Sequence, residues 1–167
     1  MRVSVFCSSA PDIPNTSLEL AFNVGKAIGD QGWDLVWGGG KASMMGEVAK
    51  GARSSGAATI GVIPEPLKKI EFEDAQASHM HVVTNMRTRK AKIEDLADAF
   101  IILPGGIGTL EEFFEIWVGR YLKFHGKPIA VCDPTGQYGP LQTALDHLAS
   151  QNFMKAGQKE LVTWCSD

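Results

Sequence analysis

A glycine-rich turn between an apolar run and a helix is the first feature of this sequence that could support chemistry. The stretch PGGIGT (104–109) places Gly105, Gly106 and Gly108 directly after the apolar residues 99–103. Glycine has no Cβ atom, so the backbone amides of such a turn can approach a bound anion closely. The helix that follows directs its unpaired amides and its positive dipole end at the same point. These features favour a phosphate group as the ligand of the turn.

The same stretch also fits a purely structural arrangement. Thr109 and Glu112 have the spacing of a capping box, in which the threonine caps the helix and the glutamate returns to the threonine amide. Such a cap stabilises a helix by about 1 kcal/mol and needs no ligand. Both interpretations predict a helix from Thr109 to about Phe124, so this stretch alone does not separate them.

Two cations on the preceding helix favour the interpretation with an anionic ligand. A helix is predicted from Met86 to Ala97, with Asn85 as its N-cap. Its spacing places Arg89 and Lys90 on the apolar face in the first turn. Cations at the start of a helix also oppose its dipole, which costs about 0.3–1 kcal/mol. An anionic partner explains both placements, and the alternative is that the side chains extend past the helix end into solvent.

Two further loops of glycine or small residues follow predicted strands, CSSA (7–10) and GGGKAS (38–43). In parallel α/β sheets ligands bind beyond the carboxyl ends of the strands, so three such loops predict a shared cleft. The two common nucleotide signatures are absent. Ala42 follows Lys41 where a P-loop requires serine or threonine, and Glu111 stands where the dinucleotide fingerprint requires its third glycine.

Apolar strands alternate with amphipathic helices along the chain. Strands are predicted at 2–7, 33–37, 57–64, 79–84, 99–104 and 127–133, with a short edge strand near 161–165. Helices are predicted at 16–31, 43–55, 86–97, 109–124 and 138–151, and residues 65–77 are predicted to be a loop with one helical turn. This alternation predicts an α/β fold, a Rossmann-like doubly wound parallel sheet flanked by helices on both faces. The length fits a single domain over residues 1–167.

Charge and composition exclude several classes of function. A net charge of −3 gives no general reason to bind nucleic acid, and no window is apolar enough to span a membrane. Cys7, Cys132 and Cys165 are too far apart for a zinc motif or a disulfide framework, which favours thiols in the cytoplasm. His79 and His81 share one face of a strand without a third ligand nearby in sequence, so no metal site is expected.

The stretch PGGIGTLEE, preceded by MRTRK, resembles the PGGxGTxxE and arginine–lysine motifs of the LOG (Lonely guy) family. The likeness extends over nearly the whole chain, because VFCSS, DLVWGGG and IGVIPEPL are similar to the first three strands of that family with their loops. Its members are cytokinin riboside 5′-monophosphate phosphoribohydrolases, often labelled lysine decarboxylases. The resemblance implies a hydrolase that needs no cofactor and cleaves the N-glycosidic bond of a nucleoside 5′-monophosphate, releasing free base and ribose 5-phosphate.

The resemblance also assigns roles to individual residues. It implies that Arg89 and Glu112 are catalytic, with Glu112 as the carboxylate that stabilises a cationic sugar and orients water. Arg89 is expected to meet either the phosphate or the departing base. The expected substrate-binding residues are Lys90, Gly105, Gly106, Gly108, Thr109, Met86, Ser8 and Gly39. Departures from the family pattern, such as Ile107 in place of a frequent tyrosine, fall in the expected walls of the base pocket.

Two other functions are compatible with parts of the pattern. A non-hydrolytic carrier of a nucleotide or of the molybdenum cofactor has a similar glycine loop on the same fold. Such a carrier does not need the pair of Arg89 and Glu112, so their presence favours the enzyme. Lysine decarboxylation is excluded, because nothing in the sequence presents a pyridoxal phosphate lysine with a partner for the pyridine nitrogen.

The helix after the glycine turn is apolar around more of its circumference than contact with one core requires. Its apolar residues include Ile116, Trp117, Val118, Tyr121 and Leu122. Members of the LOG family are homodimers or larger, so the resemblance implies a homodimer or higher homo-oligomer with part of this surface at the contact. The alternative is a helix buried entirely within its own chain.

Overall fold

A computed structural model describes residues 1–155 and 157–166 of the chain. In these residues seven strands form one sheet: β1 Arg2–Phe6, β2 Asp34–Trp37, β3 Thr59–Pro64, β4 His79–Val83, β5 Ala99–Ile102, β6 Ile129–Cys132 and β7 Thr163–Cys165. The α-helices are α1 Asn15–Asp30, α2 Ser43–Ser54, α3 Met86–Leu96, α4 Ile107–Tyr121 and α5 Gly139–Ser150. None of the helices in this described part has the length and hydropathy that a membrane crossing demands.

The sheet is covered by helices on both faces, as the sequence predicts. In β2, Leu35 and Trp37 pack in one apolar cluster with residues of α1 and α2, such as Ala21 and Val48. Val36 lies between them in sequence and packs in a second cluster with residues of α3, α4 and α5. Because successive side chains of a strand point to opposite faces, the two clusters lie on the two sides of the sheet. The doubly wound α/β fold is therefore confirmed.

The strand order brings three loops together at the carboxyl ends of the central strands. The order is β4-β3-β2-β1-β5-β6-β7, and all neighbouring strands are parallel. The chain first winds outward from β1 through β4 and then returns to the other side of β1 with β5. Ligand crevices form at such a reversal, beyond the carboxyl ends of the strands. The loops after β1 and β5 are joined there, because the Ser8 amide donates to the Pro104 carbonyl at 3.3 Å.

The predicted strands and helices are all present, with ends that differ by a few residues. Residues 65–77 contain the predicted single turn, a 3₁₀ helix at Glu65–Leu67. The last strand, β7, lies at an edge of the sheet, as predicted. One boundary changes the interpretation of the site, because α4 begins at Ile107 and the sequence predicts a start at Thr109.

The capping box predicted for Thr109 and Glu112 is wrong. The N-cap of α4 is Gly106, and no side chain of the described residues caps the helix. Gly106 has the extended angles φ −90° and ψ −155°, from which the helix starts directly. Thr109 is instead the third helical residue, and its buried side chain fills the space where a Cβ atom of Gly105 would lie. The first amides of α4 therefore remain available to another partner.

Candidate active site

A cavity of about 260 Å³ opens where the loops after β1, β2 and β5 meet. Most of the residues that the sequence predicts for the site line this cavity, namely Ser8, Met86, Arg89, Gly106, Gly108, Thr109 and Glu112. The remaining lining residues are Val5, Phe6, Cys7, Ser9, Ala10, Gly38, Met45, Glu71 and Glu111. Gly39, Lys90 and Gly105 do not line it. The two predicted catalytic side chains, from α3 and α4, therefore share one space.

The guanidinium of Arg89 is buried beside the cavity, with 4% of the side chain exposed. Its Nη1 donates to Oε1 of Glu71 at 3.1 Å, and its Nη2 donates to Oε2 at 2.8 Å. Nη2 also donates to the Gly38 carbonyl at 2.8 Å. Two parallel hydrogen bonds form the strongest geometry between arginine and a carboxylate. The alternative that Arg89 extends into solvent is wrong, and its anionic partner within the chain is Glu71.

The glycine turn after β2 is shaped to hold this arginine. A Cβ atom on Gly38 would overlap the Arg89 guanidinium, and one on Gly40 would lie 2.8 Å from the Glu71 carbonyl oxygen. Gly39 has a φ of +77°, which favours glycine, and its Cβ position faces side chains of β3 and β4. The turn therefore holds Arg89 in place, and the substrate contact of Gly39 stays a prediction.

Glu71 reaches the cavity from the segment 65–77, which connects β3 and β4. Backbone hydrogen bonds tie this segment to the glycine turn. The Lys41 amide donates to the Glu71 carbonyl at 3.2 Å, and the Asp74 amide donates to the Gly39 carbonyl at 2.9 Å. Asp74 is also buried and pairs with Arg53 of α2 at 2.9 Å. The segment is thus held firmly, although its sequence has no helical or strand period that would mark Glu71.

Glu112 lies in the second turn of α4 and lines the cavity. Burial raises its pKa from 4.5 to about 7; the charge of Arg89 lowers the pKa, and the charges of Glu111 and Glu71 raise it. Within residues 1–155 and 157–166, no group donates a hydrogen bond to this carboxyl. At neutral pH the group is divided between its acid and carboxylate forms. Carboxyls tuned in this way are typical of active sites that use general acid or base chemistry.

Lys90 joins the two helices that carry Arg89 and Glu112. Its ammonium pairs with the carboxylates of Glu115, at 2.8 Å, and Glu111, both on α4. Burial opposes the charge of Lys90, but the two carboxylates outweigh burial and raise its pKa. Lys90 therefore links α3 to α4. Its predicted contact with substrate stays a prediction.

The turn after β5 presents the amides at the start of α4 to the cavity. Gly106 and Gly108 line the cavity and have open space where a side chain would lie. The first amide to bond along the helix is that of Leu110, which donates to the Gly106 carbonyl at 3.0 Å. The amides of residues 107–109 precede that bond and have no partner inside the helix. Proteins bind phosphate with this arrangement of amides and helix dipole.

Tyr138 supports this turn from behind, and no motif in the sequence marks it. Its buried hydroxyl lies within hydrogen-bonding distance of the carbonyls of Leu103, at 3.0 Å, and Gly105, at 3.3 Å. The Tyr138 amide donates in turn to the Asp133 carboxylate at 2.7 Å. The Gly105 carbonyl thus takes part in the contacts that support the turn. Its substrate contact stays a prediction.

Several known proteins are similar to this chain in sequence. A family model described as "Possible lysine decarboxylase" matches residues 45–167. The cytokinin riboside 5′-monophosphate phosphoribohydrolase of Mycobacterium marinum is 46% identical over 152 residues, which are 91% of this chain and 81% of the relative. The protein of that name from Rhodococcoides fascians is 38% identical over 166 residues, which are 99% of this chain and 84% of the relative. This chain belongs to the LOG family.

Membership of the LOG family confirms the resemblance that the motifs indicate. The rice protein named LOG is 35% identical over 161 residues, which are 96% of this chain and 66% of the relative. A solved structure of the molybdenum cofactor carrier protein from Chlamydomonas reinhardtii matches with a TM-score of 0.71 and 24% identity. The match covers 99% of this chain and 89% of that structure. At this identity the likeness to the carrier shows a shared fold.

The burial of Glu112 predicts that Glu112→Gln affects stability in a pH-dependent way. A carboxyl whose pKa is raised on folding destabilises the folded state as the pH rises from 4.5 through about 7. The substitution removes this cost, so the variant should be more stable than the wild type at pH 8. The gain at pH 8 should exceed the gain at pH 5 by on the order of 2 kcal/mol.

Thermal or denaturant unfolding at the two pH values measures this difference. Glu115→Gln is the matched control, because it removes a carboxylate from the same helix that is half exposed and paired with Lys90. The control should show no gain in stability at pH 8. Equal gains of Glu112→Gln at pH 5 and pH 8 would contradict the raised pKa.

Proposed function

We propose that this protein hydrolyses the N-glycosidic bond of nucleoside 5′-monophosphates of the cytokinin type to free base and ribose 5-phosphate. The observation that carries the proposal is the convergence of Arg89, Glu112 and the uncapped start of α4 on one cavity. Relatives at 46% and 38% identity bear the name of this activity. The proposal includes a single nucleotide-binding domain over residues 1–167 that acts without a metal or other cofactor.

The 5′-phosphate is assigned to the amides at the start of α4. Gly106 and Gly108 leave room for it, and a helix N-terminus favours a dianion. Ser8 and Thr109 line the same cavity and offer hydroxyl groups to the remaining phosphate oxygens. Residues one turn apart share a helix face, so a phosphate held near Thr109 places the ribose toward Glu112.

Glu112 and Arg89 are assigned to the chemical step. As the bond between C1′ and the base nitrogen breaks, positive charge develops on the sugar and negative charge on the base. The Glu112 carboxylate stabilises the cationic sugar and orients a water molecule, whose oxygen bonds to C1′ as the water loses a proton. The base leaves with the bonding electron pair and takes up a proton. We assign Arg89 to the base, because the α4 amides are free for the phosphate.

A carrier without hydrolysis has less support. A carrier of the molybdenum cofactor shares the fold with this chain, and at 24% identity the likeness shows the fold alone. A carrier also has no need for the pair of Arg89 and Glu112 that lines the cavity.

Release of free base from a panel of nucleotides tests the proposal. The panel contains AMP, the other common nucleoside 5′-monophosphates and N6-isopentenyl AMP, each beside its nucleoside, with chromatographic separation of the products. Base should be released from monophosphates, and kcat/KM for the nucleosides should be at least about tenfold lower, because the phosphate anchors the ribose. Glu112→Ala should lower kcat by about 10²–10⁴-fold, since it removes the carboxylate of the chemical step.

Matched substitutions test whether loss of activity is specific to the two proposed catalytic residues. Glu115→Ala removes a carboxylate from the same helix as Glu112, and Arg87→Ala removes an exposed cation close to Arg89 on α3. Both should keep base release, whereas Arg89→Ala and Glu112→Ala should lose it. Nucleotide binding without base release from any member of the panel would contradict the hydrolase and support the carrier.

We also propose that the protein is a homodimer or higher homo-oligomer in the cytoplasm. On α4, Ile116 and Trp117 are buried in their own chain, whereas Val118 is 52% exposed and Leu122, just after the helix, is 50% exposed. Val118 lines an apolar groove of about 210 Å³ together with Phe114, Trp117, Tyr121, Leu145, Leu148, Met154 and Gln158. Exposed apolar surface of this kind is typical of subunit contacts. The cytoplasmic location rests on the cysteine pattern of the sequence.

Light scattering during gel filtration tests the oligomer. The mass should be at least twice the 18.0 kDa of one chain. Val118→Glu places a charge in the apolar groove and should shift the protein to the monomer. Ile70→Glu changes another exposed apolar residue, on the segment 65–77, and should leave the mass unchanged. A monomeric wild type would contradict the proposal.

A further inference from the structure

We propose that Glu71 is a positioning residue of the active site, which holds the Arg89 guanidinium against the glycine turn and keeps it from pairing with Glu112. The inference rests on the proposed function for the role of Glu112 and extends it to a residue outside the family motifs named above. Glu71, Arg89 and Glu112 all line the same cavity.

The hydrogen bonds of Arg89 show how it is held. Both terminal nitrogens face Glu71, at 3.1 and 2.8 Å, and Nη2 also donates to the Gly38 carbonyl at 2.8 Å. The guanidinium is planar and rigid, so it cannot turn toward a second carboxylate without breaking these bonds. The Nε atom is buried and has no hydrogen-bond partner among the described residues. The orientation of Arg89 therefore depends on Glu71 and the turn.

Glu71 affects the charge of Glu112 in two ways. The titratable and charged groups that face Glu112 come from β1, the segment 65–77, α3 and α4, and they are Cys7, Glu71, Arg89, Lys90 and Glu111. Lys90 is already paired with carboxylates of α4. The negative charge of Glu71 opposes ionisation of Glu112, and its pairing with Arg89 offsets the main cation that favours ionisation.

Arg89 already lowers the pKa of Glu112, and Glu111, the other carboxylate of the cavity, is paired with Lys90. Release of Arg89 from Glu71 would therefore favour its pairing with Glu112. A Glu112 carboxylate in a salt bridge has less negative charge to offer a cationic sugar, and it no longer accepts a proton near neutral pH. The pair of Glu71 and Arg89 thus keeps Glu112 available to the sugar and to water. The segment 65–77 becomes part of the catalytic apparatus through this one side chain.

The pH dependence of kcat/KM tests the inference, because it reports ionisations of the free enzyme. Wild-type activity should rise with pH through a midpoint near 7 as Glu112 ionises. Glu71→Gln removes the charge at nearly constant size, so Arg89 then favours the Glu112 carboxylate. The midpoint should move toward acid by roughly 0.5–1 pH unit. The plateau kcat should also fall, while KM changes little, because the phosphate contacts are untouched.

Two further variants make the result specific. Glu73→Gln is the matched control, since it removes the same charge from the same segment, but from a residue that pairs with Lys68. Its midpoint should equal that of the wild type. Glu71→Asp keeps the charge with a shorter reach, so its midpoint should lie between those of wild type and Glu71→Gln. It decides the test if Glu71→Gln does not fold. Unchanged midpoints in the Glu71 variants, or an equal shift in Glu73→Gln, would overturn the inference.

A titration of Glu112 in the free protein separates this inference from the proposed function. Carbon-13 labels on the glutamate carboxyls report each pKa by NMR, and Glu112→Gln identifies the Glu112 signal. Glu71→Gln should lower the pKa of Glu112 whether or not any nucleotide is cleaved. A protein that releases no base would overturn the proposed function and leave this titration valid. Base release with an unchanged Glu112 titration would overturn the positioning role alone.

Discussion

The buried ion pair of Arg89 and Glu71 is the interaction on which the rest of the site depends. Removing a guanidinium from water is costly, and here two hydrogen bonds to a carboxylate and one to the Gly38 carbonyl offset that cost. The loss of one partner of such a pair typically costs about 3–5 kcal/mol. The glycine turn, α3 and the segment between β3 and β4 must therefore come together for the cavity to form.

Because Arg89 pairs with Glu71, the proposed reaction uses one group to bind the phosphate and another to stabilise the charge on the sugar. Arg89 is largely neutralised by its partner, and we therefore propose the amides at the uncapped start of α4 as the site for a phosphate dianion. Glu112 lies on the same helix as Thr109, one turn further along. Burial there raises the pKa of Glu112 to about 7. In the proposed mechanism, phosphate binding and charge stabilisation at the sugar thus use different groups, arranged along one helix.

Local patterns in the sequence predict most of this structure, because strands, helices and caps depend on residues close in the chain. Asn85 is predicted as an N-cap from its position, and it accepts a hydrogen bond from the Thr88 amide at 3.0 Å. The partner of Arg89 could not be predicted, because Glu71 lies 18 residues away in a segment without periodicity. The predicted capping box is wrong for a different reason. Its spacing was correct, but the extended backbone of Gly106 starts the helix two residues earlier.

A crystal structure of Glu112→Gln with bound AMP tests most directly which groups bind the phosphate and the base. The expected result is a phosphate on the amides of residues 107–109, with C1′ beside the substituted side chain. Arg89 should remain bound to Glu71 in that complex. A phosphate bound to the Arg89 guanidinium, with Glu71 displaced, would contradict the assignment of the phosphate to α4 and of Arg89 to the base.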